Sequence, residues 1–161
     1  MKSFVALEMP LVLEQLAEHC QFSASRELAI NIRPTKSIDV AECRQIETTE
    51  ARLLLKEHQY ASVGNACDVR GEVNRAKLSA ILQPIELVRI RSTLDSSRVL
   101  KKTILGTNNK FEILCQRAKM LVDLPELEHA IDCSIDNQAE VLSTASNLLG
   151  KLREQSKSTN N

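Results

Sequence analysis

The chain has 161 residues, 43% hydrophobic and 26% charged, with 21 basic and 21 acidic side chains and net charge zero. That length fits one domain able to bury a core. Four Gly, four Pro and 2% aromatic residues leave little turn chemistry for an all-β fold, so the expectation is helices joined by short loops. No run of about 18 apolar residues is present, which excludes a transmembrane helix. The first twenty residues carry Glu8 and Glu14 inside their apolar part, unlike a secretory signal, and a cytoplasmic protein is expected.

In chain order, residues 7–20 form a first helix with Pro10 in its first turn and Met9, Leu13, Leu16 and Cys20 on one face. Ser23 or Ser25 caps a second helix over SASRELAINI, which stops near Ile32 because Pro34 disfavours helical geometry at Arg33. Asp39-Val40-Ala41-Glu42 reads as a capping box opening a third helix to about Glu57. Cys43, Ile46, Leu53 and Leu54 form its buried side, while Glu47, Glu50 and Arg52 are solvated. Residues 58–66, with Gly64 and Asn65, are a loop, and a short helix covers 69–77.

The organising element is Pro84–Leu105, bounded by proline in the first turn and by Gly106, which suits a left-handed residue after the last. Its 22 residues span roughly 33 Å at 1.5 Å per residue. Arg91, Asp95, Arg98 and Lys102 fall on one stripe and Leu87, Ile90, Leu94 and Leu105 on another. Further apolar residues spread over much of the remainder, and Ser92, Thr93, Ser96 and Ser97 let neighbours come close. A surface helix carries one apolar stripe, so this one reads as a central rod. Thr107-Asn108-Asn109 is a turn. A helix over 111–124 directs Ile113, Leu114, Ala118, Leu121 and Val122 inward, and another runs from Pro125 to Ile131 or beyond. Residues 135–140 break the pattern, Val141-Leu142 is extended, and a last helix starts near Thr144. The tail 155–161 is polar and frays. The fold class is all-α: an irregular multi-helix bundle around 84–105, as one helical domain over 7–154.

The chemistry is sparse. No Gly-x-x-x-x-Gly-Lys-Ser/Thr loop is present, so the chain is not a P-loop ATPase on its own. His129 and Cys133 share a helical face beside Asp132, but zinc wants four ligands and no second pair is evident. The adjacent His19 and Cys20 point in different directions. The carboxylate pairs Glu47/Glu50 and Glu126/Glu128 fall on solvated surfaces. Catalytic, cofactor and metal sites are therefore not expected, nor is enzyme activity. Five widely spaced cysteines without Cys-x-x-Cys suggest reduced, mostly buried thiols.

Charge is unevenly placed. Residues 1–69 carry 7 basic and 10 acidic side chains (−3), residues 70–119 carry 11 and 4 (+7), and residues 120–161 carry 3 and 7 (−4). A basic middle faces nucleic acid or an acidic partner, or pairs with the two flanks inside the fold. The candidate nucleic-acid contacts are Arg70, Arg75, Arg91, Arg98, Lys101 and Lys102. Stacking is not expected, since Phe111 is the one aromatic in this zone.

Three stretches together resemble one family. Residues 11–55, with Leu-Glu-Gln-Leu-Ala, Glu-Leu-Ala, a Pro-Thr break and Glu-Thr-x-Glu-Ala, resemble the amino-terminal opening of the second bacterial MutS subfamily. In residues 67–102, Asp68, Arg70, Arg75, Ala76, Leu82, Pro84, Glu86 and Leu87 fall where that family's next block has them. Residues 124–154 resemble the third block, in which an Ile-Asp turn and Glu-Val-Leu lead to Ala-Ser and an outgoing helix. Gln83 stands where a Ser cap is usual, Gly71 where Pro is common, and Gln138-Ala139 where Gly is expected before Glu140. The resemblance spans about 7–154.

It implies a helical core and lever region whose last helix starts the arm toward a clamp. The rest of the family's polypeptide would hold that clamp, a MutS-type ATPase using ATP and Mg, and usually an Smr nuclease domain. The family's homodimers are associated with branched-DNA binding, restraint of recombination and, in some bacteria, action on stalled ribosomes. The chain would then transmit ATP-driven motion without catalysis of its own. The alternatives are direct nucleic-acid binding through 70–119 and an unrelated all-α protein-interaction domain.

Overall fold

The computed structural model describes residues 7–159, with side chains to residue 155. Among these residues it is all-α, in agreement with the sequence. The helices are α1 (Met9–Glu18), α2 (Ser23–Ile30), α3 (Ile38–Glu57), α4 (Arg70–Lys77), α5 (Pro84–Leu105), α6 (Glu112–Lys119), α7 (Pro125–Asp132) and α8 (Asn147–Thr159). A 3-10 turn over Ser143–Ala145 leads into α8.

The rod α5 has the predicted limits. Pro84 opens it, and the Glu86 carboxylate accepts the orphan Gln83 N–H at 2.7 Å, so a glutamine start is capped as a serine start would be. At the other end Gly106 is right-handed (φ −66°), not left-handed as expected. The reversal comes two residues later at Asn108 and Asn109 (φ 53° and 61°), residue types that tolerate this region.

Capping differs at α2 and α3. Phe22 precedes α2 without a side-chain cap, and the Ser23 hydroxyl donates instead to Asp68 at 3.4 Å. Ser37, not Asp39, caps α3 by accepting the Val40 N–H at 3.4 Å. Helix α6 stops at Lys119, five residues short of expectation. The Leu121 carbonyl is taken by the Lys101 ammonium at 2.8 Å, and Pro125 disfavours helical geometry at Leu124. Ile135 and Val141 form the one antiparallel bridge among the described residues. The turn between them puts Ala139 at φ 63°, where the family pattern has glycine. The backbone of α8 is helical to Thr159, past the predicted start of fraying.

The core forms where α3, α5 and α6 meet. Leu54, Ala61, Ile104, Phe111, Cys115 and Ala118 are buried together, with Leu100, Leu105 and Leu114 against them. Phe111 and Cys115 are its largest fully buried side chains. The rod is central but not enclosed: Ile104 is its one buried residue, and Ile85 and Val99 are about half exposed. On α3 only Leu54 of the four predicted core residues is buried, and on α1 Leu13 and Ala17 are buried while Leu16 is exposed. Val122 is exposed as well. Of the cysteines, Cys115 is buried, Cys20 and Cys67 are half-buried, and Cys43 and Cys133 are exposed.

The small residues of α5 admit the 58–69 loop. Thr93 Oγ1 accepts the Cys67 N–H at 2.9 Å and lies 3.2 Å from the Cys67 carbonyl. Gly64, left-handed at φ 57°, places its Cα where an added Cβ would lie 3.1 Å from Ser96 Oγ. Glycine is needed there for backbone conformation and for space.

Candidate interface on the central helix

The six candidate bases divide between the rod and the segment before it, and five of them are engaged. On α5, Arg91 pairs with Asp132 of α7 at 2.8 Å and donates to the Asn137 amide oxygen at 2.8 Å. Arg98 bonds Asp95 on its own helix and reaches Glu128 of α7 at 3.3 Å. The Lys101 ammonium meets Asp123 at 2.6 Å. Lys102 is exposed and enters no ion pair among the described residues. Before the rod, Arg75 pairs with Glu86, and Arg70 bridges Asp68 and Glu27 at 2.6 and 2.7 Å.

Electrostatics follow from these contacts. The side-chain hydrogen bond from Arg70, followed by its backbone N–H, lowers the Asp68 pKa to about 2. Asp68 and Glu27 in turn raise the Arg70 guanidinium above its ordinary value. The Gln83 N–H, then Arg75, holds the Glu86 carboxyl below its usual range.

Seven of the ten ion pairs among the described residues join a base of 70–119 to an acid in a flank. The −3, +7, −4 distribution thus corresponds to pairing inside one fold. Each exposed pair is worth only about 0–1 kcal/mol, but together they hold α7 and the turn before it against the rod, and α3 against α6 and Lys110. Arg89 was not singled out by the sequence; it pairs at 2.7 Å with Glu72, the buried acid of α4. An acid one turn from the start of a short polar helix gives no sign of burial, so periodicity missed it.

Two acids read as solvated hold α6 in place. Both oxygens of Glu50 accept backbone N–H groups at its start, from Ile113 at 3.3 Å and Leu114 at 2.9 Å. Glu47 meets Arg117 at 3.2 Å. Since α6 has no side-chain cap of its own, Glu50 of α3 supplies one from 63 residues away. Such a cap leaves no local pattern in the sequence.

His129 and Cys133 do adjoin, with Sγ 3.5 Å from Nε2, while Asp132 is turned to Arg91. No group of three or more His, Cys, Asp or Glu side chains among the described residues is placed to hold a metal ion. No helix among them is long and apolar enough to cross a membrane.

No family model matches the chain. It is similar to curated proteins, however, over nearly its whole length. It is 34% identical over 152 residues to the Endonuclease MutS2 of Geobacillus thermodenitrificans, covering 92% of this chain and 19% of that protein. The Endonuclease MutS2 of Geobacillus sp. WCH70 is 35% identical over 156 residues, 95% of this chain and 20% of that protein. The Putative endonuclease MutS2 of Bacillus subtilis is 31% identical over 157 residues, 96% and 20%. The chain therefore spans about a fifth of the length of these relatives, and it is similar to these MutS2 proteins along the helices just described.

Proposed function

We propose that the chain is a non-catalytic helical core and lever of a MutS-type ATPase, passing ATP-driven motion from one part of the polypeptide to a nucleic-acid clamp in another. The observation that carries this reading is the 22-residue α5 and its ties on two sides. Thr93 holds the 58–69 loop, while Arg91, Arg98 and Lys101 hold α7 and the turn before it. A rod fixed to several neighbours moves them as a unit. Its partners in this reading are the remaining ATPase and clamp domains, a second subunit, and branched DNA or ribosomes reached through the whole protein in the cytoplasm. ATP and Mg belong to the rest of the polypeptide.

The same ion pairs weigh against direct nucleic-acid contact by five of the six candidate bases, since each contact would have to replace an internal partner. The test is binding of the chain to labelled branched DNA and structured RNA across a salt series, beside an Arg91→Glu/Arg98→Glu/Lys102→Glu variant. The lever reading predicts no binding near physiological salt. Micromolar binding that falls steeply with salt and vanishes in the variant would replace it with direct contact through residues 70–119.

A further inference from the structure

A second cationic feature lies away from the rod. A groove of about 1320 Å³ is lined by α2, the 31–37 loop, α3 and Arg117 of α6. Its lining combines aliphatic Leu28, Ile32 and Pro34 with the bases Lys36, Arg44 and Arg117. Leu28 and Ile32 are left 72% and 43% exposed, which is apolar surface without cover. Lys36 and Arg44 enter no ion pair among the described residues, and the one lining carboxylate, Glu47, is engaged with Arg117. The loop is held in shape: Arg33 Nη1 donates to the Ile30 and Ile32 carbonyls at 3.0 and 2.8 Å, and Arg44 Nη1 to the Arg33 carbonyl at 3.3 Å.

Size, charge and lining select the class of ligand. The groove exceeds the roughly 300–1,000 Å³ of a small-molecule pocket. Lys36 and Arg44, without an ion pair among the described residues and beside exposed aliphatic carbons, suit a ligand that is both anionic and aliphatic. Single-stranded nucleic acid brings bases that want aromatic platforms, and no aromatic side chain lines the groove. We propose that this groove docks an acidic segment of a partner protein, with aliphatic side chains against Leu28, Ile32 and Pro34 and carboxylates on Lys36 and Arg44. The inference stands independently of the lever reading, because none of these residues contributes to the rod.

The probe is a fluorescein-labelled twelve-residue peptide of alternating Glu and Leu, titrated with the 161-residue chain by fluorescence anisotropy. Saturable micromolar binding is expected. Lys36→Glu/Arg44→Glu weakens it by about tenfold or more, as the loss of two charge contacts requires. Ile32→Ser also weakens it, but leaves its salt dependence unchanged. Circular dichroism confirms that both variants keep the native helix content. Failure of the peptide to saturate, or equal binding by the charge-reversed variant, would overturn the proposal. Tighter binding of a twelve-residue oligothymidylate through the same bases would also overturn it and make the groove a nucleic-acid site. Loss of peptide binding in a full-length relative would assign the groove to an internal segment instead.

Discussion

Removing the Glu50 carboxylate should uncap a helix in a different part of the chain. The α6 N-terminus presents its N–H groups at Ile113 and Leu114, and Glu50 accepts both, at 3.3 and 2.9 Å. An N-cap side chain contributes about 0.5–2 kcal/mol, and a hydrogen bond to a charged group about 1.5–3 kcal/mol. Glu50 is half-buried, and one of its two bonds is long, so Glu50→Ala should cost about 2 kcal/mol. For a chain of this size that lowers Tm by about 4–8 °C. Glu50→Gln keeps one acceptor and loses the charge, so it should cost about half as much. Glu112→Gln, in the first turn of α6 itself, removes only a helix-dipole interaction of about 0.3–1 kcal/mol. The assay is urea unfolding followed by far-UV circular dichroism. A Glu50→Ala unfolding free energy within about 0.5 kcal/mol of the parent, with m unchanged, would refute the trans cap and return Glu50 to the solvated surface.

Two further predictions concern the backbone and pH. Ala139 sits at φ 63°, a conformation costing a residue with a Cβ about 1–2 kcal/mol. Ala139→Gly should therefore stabilise the chain by about 0.5–1 kcal/mol after the gain in unfolded-state entropy; a lower unfolding midpoint would contradict the strain. The Arg70 hydrogen bonds hold the Asp68 carboxyl at a pKa of about 2, below the ordinary carboxylate range. Its lowered folded pKa gives stability that is fully present above about pH 4 and is lost as pH falls toward 2. In Asp68→Asn the loss of midpoint between pH 5 and pH 2.5 should be smaller than in the parent, and an equal loss would remove Asp68 from the account.

What was legible in the sequence was local. The limits of α5 follow from Pro84, Glu86 and the absence of Gly or Pro until Gly106, and the structure reproduces them. The charge blocks likewise anticipated pairing within the fold. What was hidden depends on which helices meet. Phe111 enters the sequence analysis only as the one aromatic of the basic zone, yet it is fully buried, because α3 and α5 converge on the start of α6. Glu47 and Glu50 look solvated because their partners lie 70 and 63 residues away. Cys43, Ile46 and Leu53 satisfied a periodic apolar face, but periodicity records that a face is apolar, not that another part of the same chain covers it. Helix α6 is shorter than the sequence suggests: it ends at Lys119, and the Leu121 carbonyl beyond it, which has no i+4 donor because residue 125 is proline, is taken by Lys101 from across the fold.

The central claim is that α5 transmits motion as a rod. A full-length relative, such as the Bacillus subtilis protein, would carry a fluorescent donor and acceptor at positions matching the start of α5 and the outgoing α8, and the distance between them would be measured with and without ATP. The account predicts an ATP-dependent change that is lost with proline at the position matching Leu94, a substitution costing about 3 kcal/mol or more within a helix. The change should be reduced when the positions matching Arg98 and Glu128 are both made Gln, which removes one of the two ion pairs tying α7 to the rod while leaving its backbone intact. A full change persisting in both variants, with native circular dichroism, would contradict the lever.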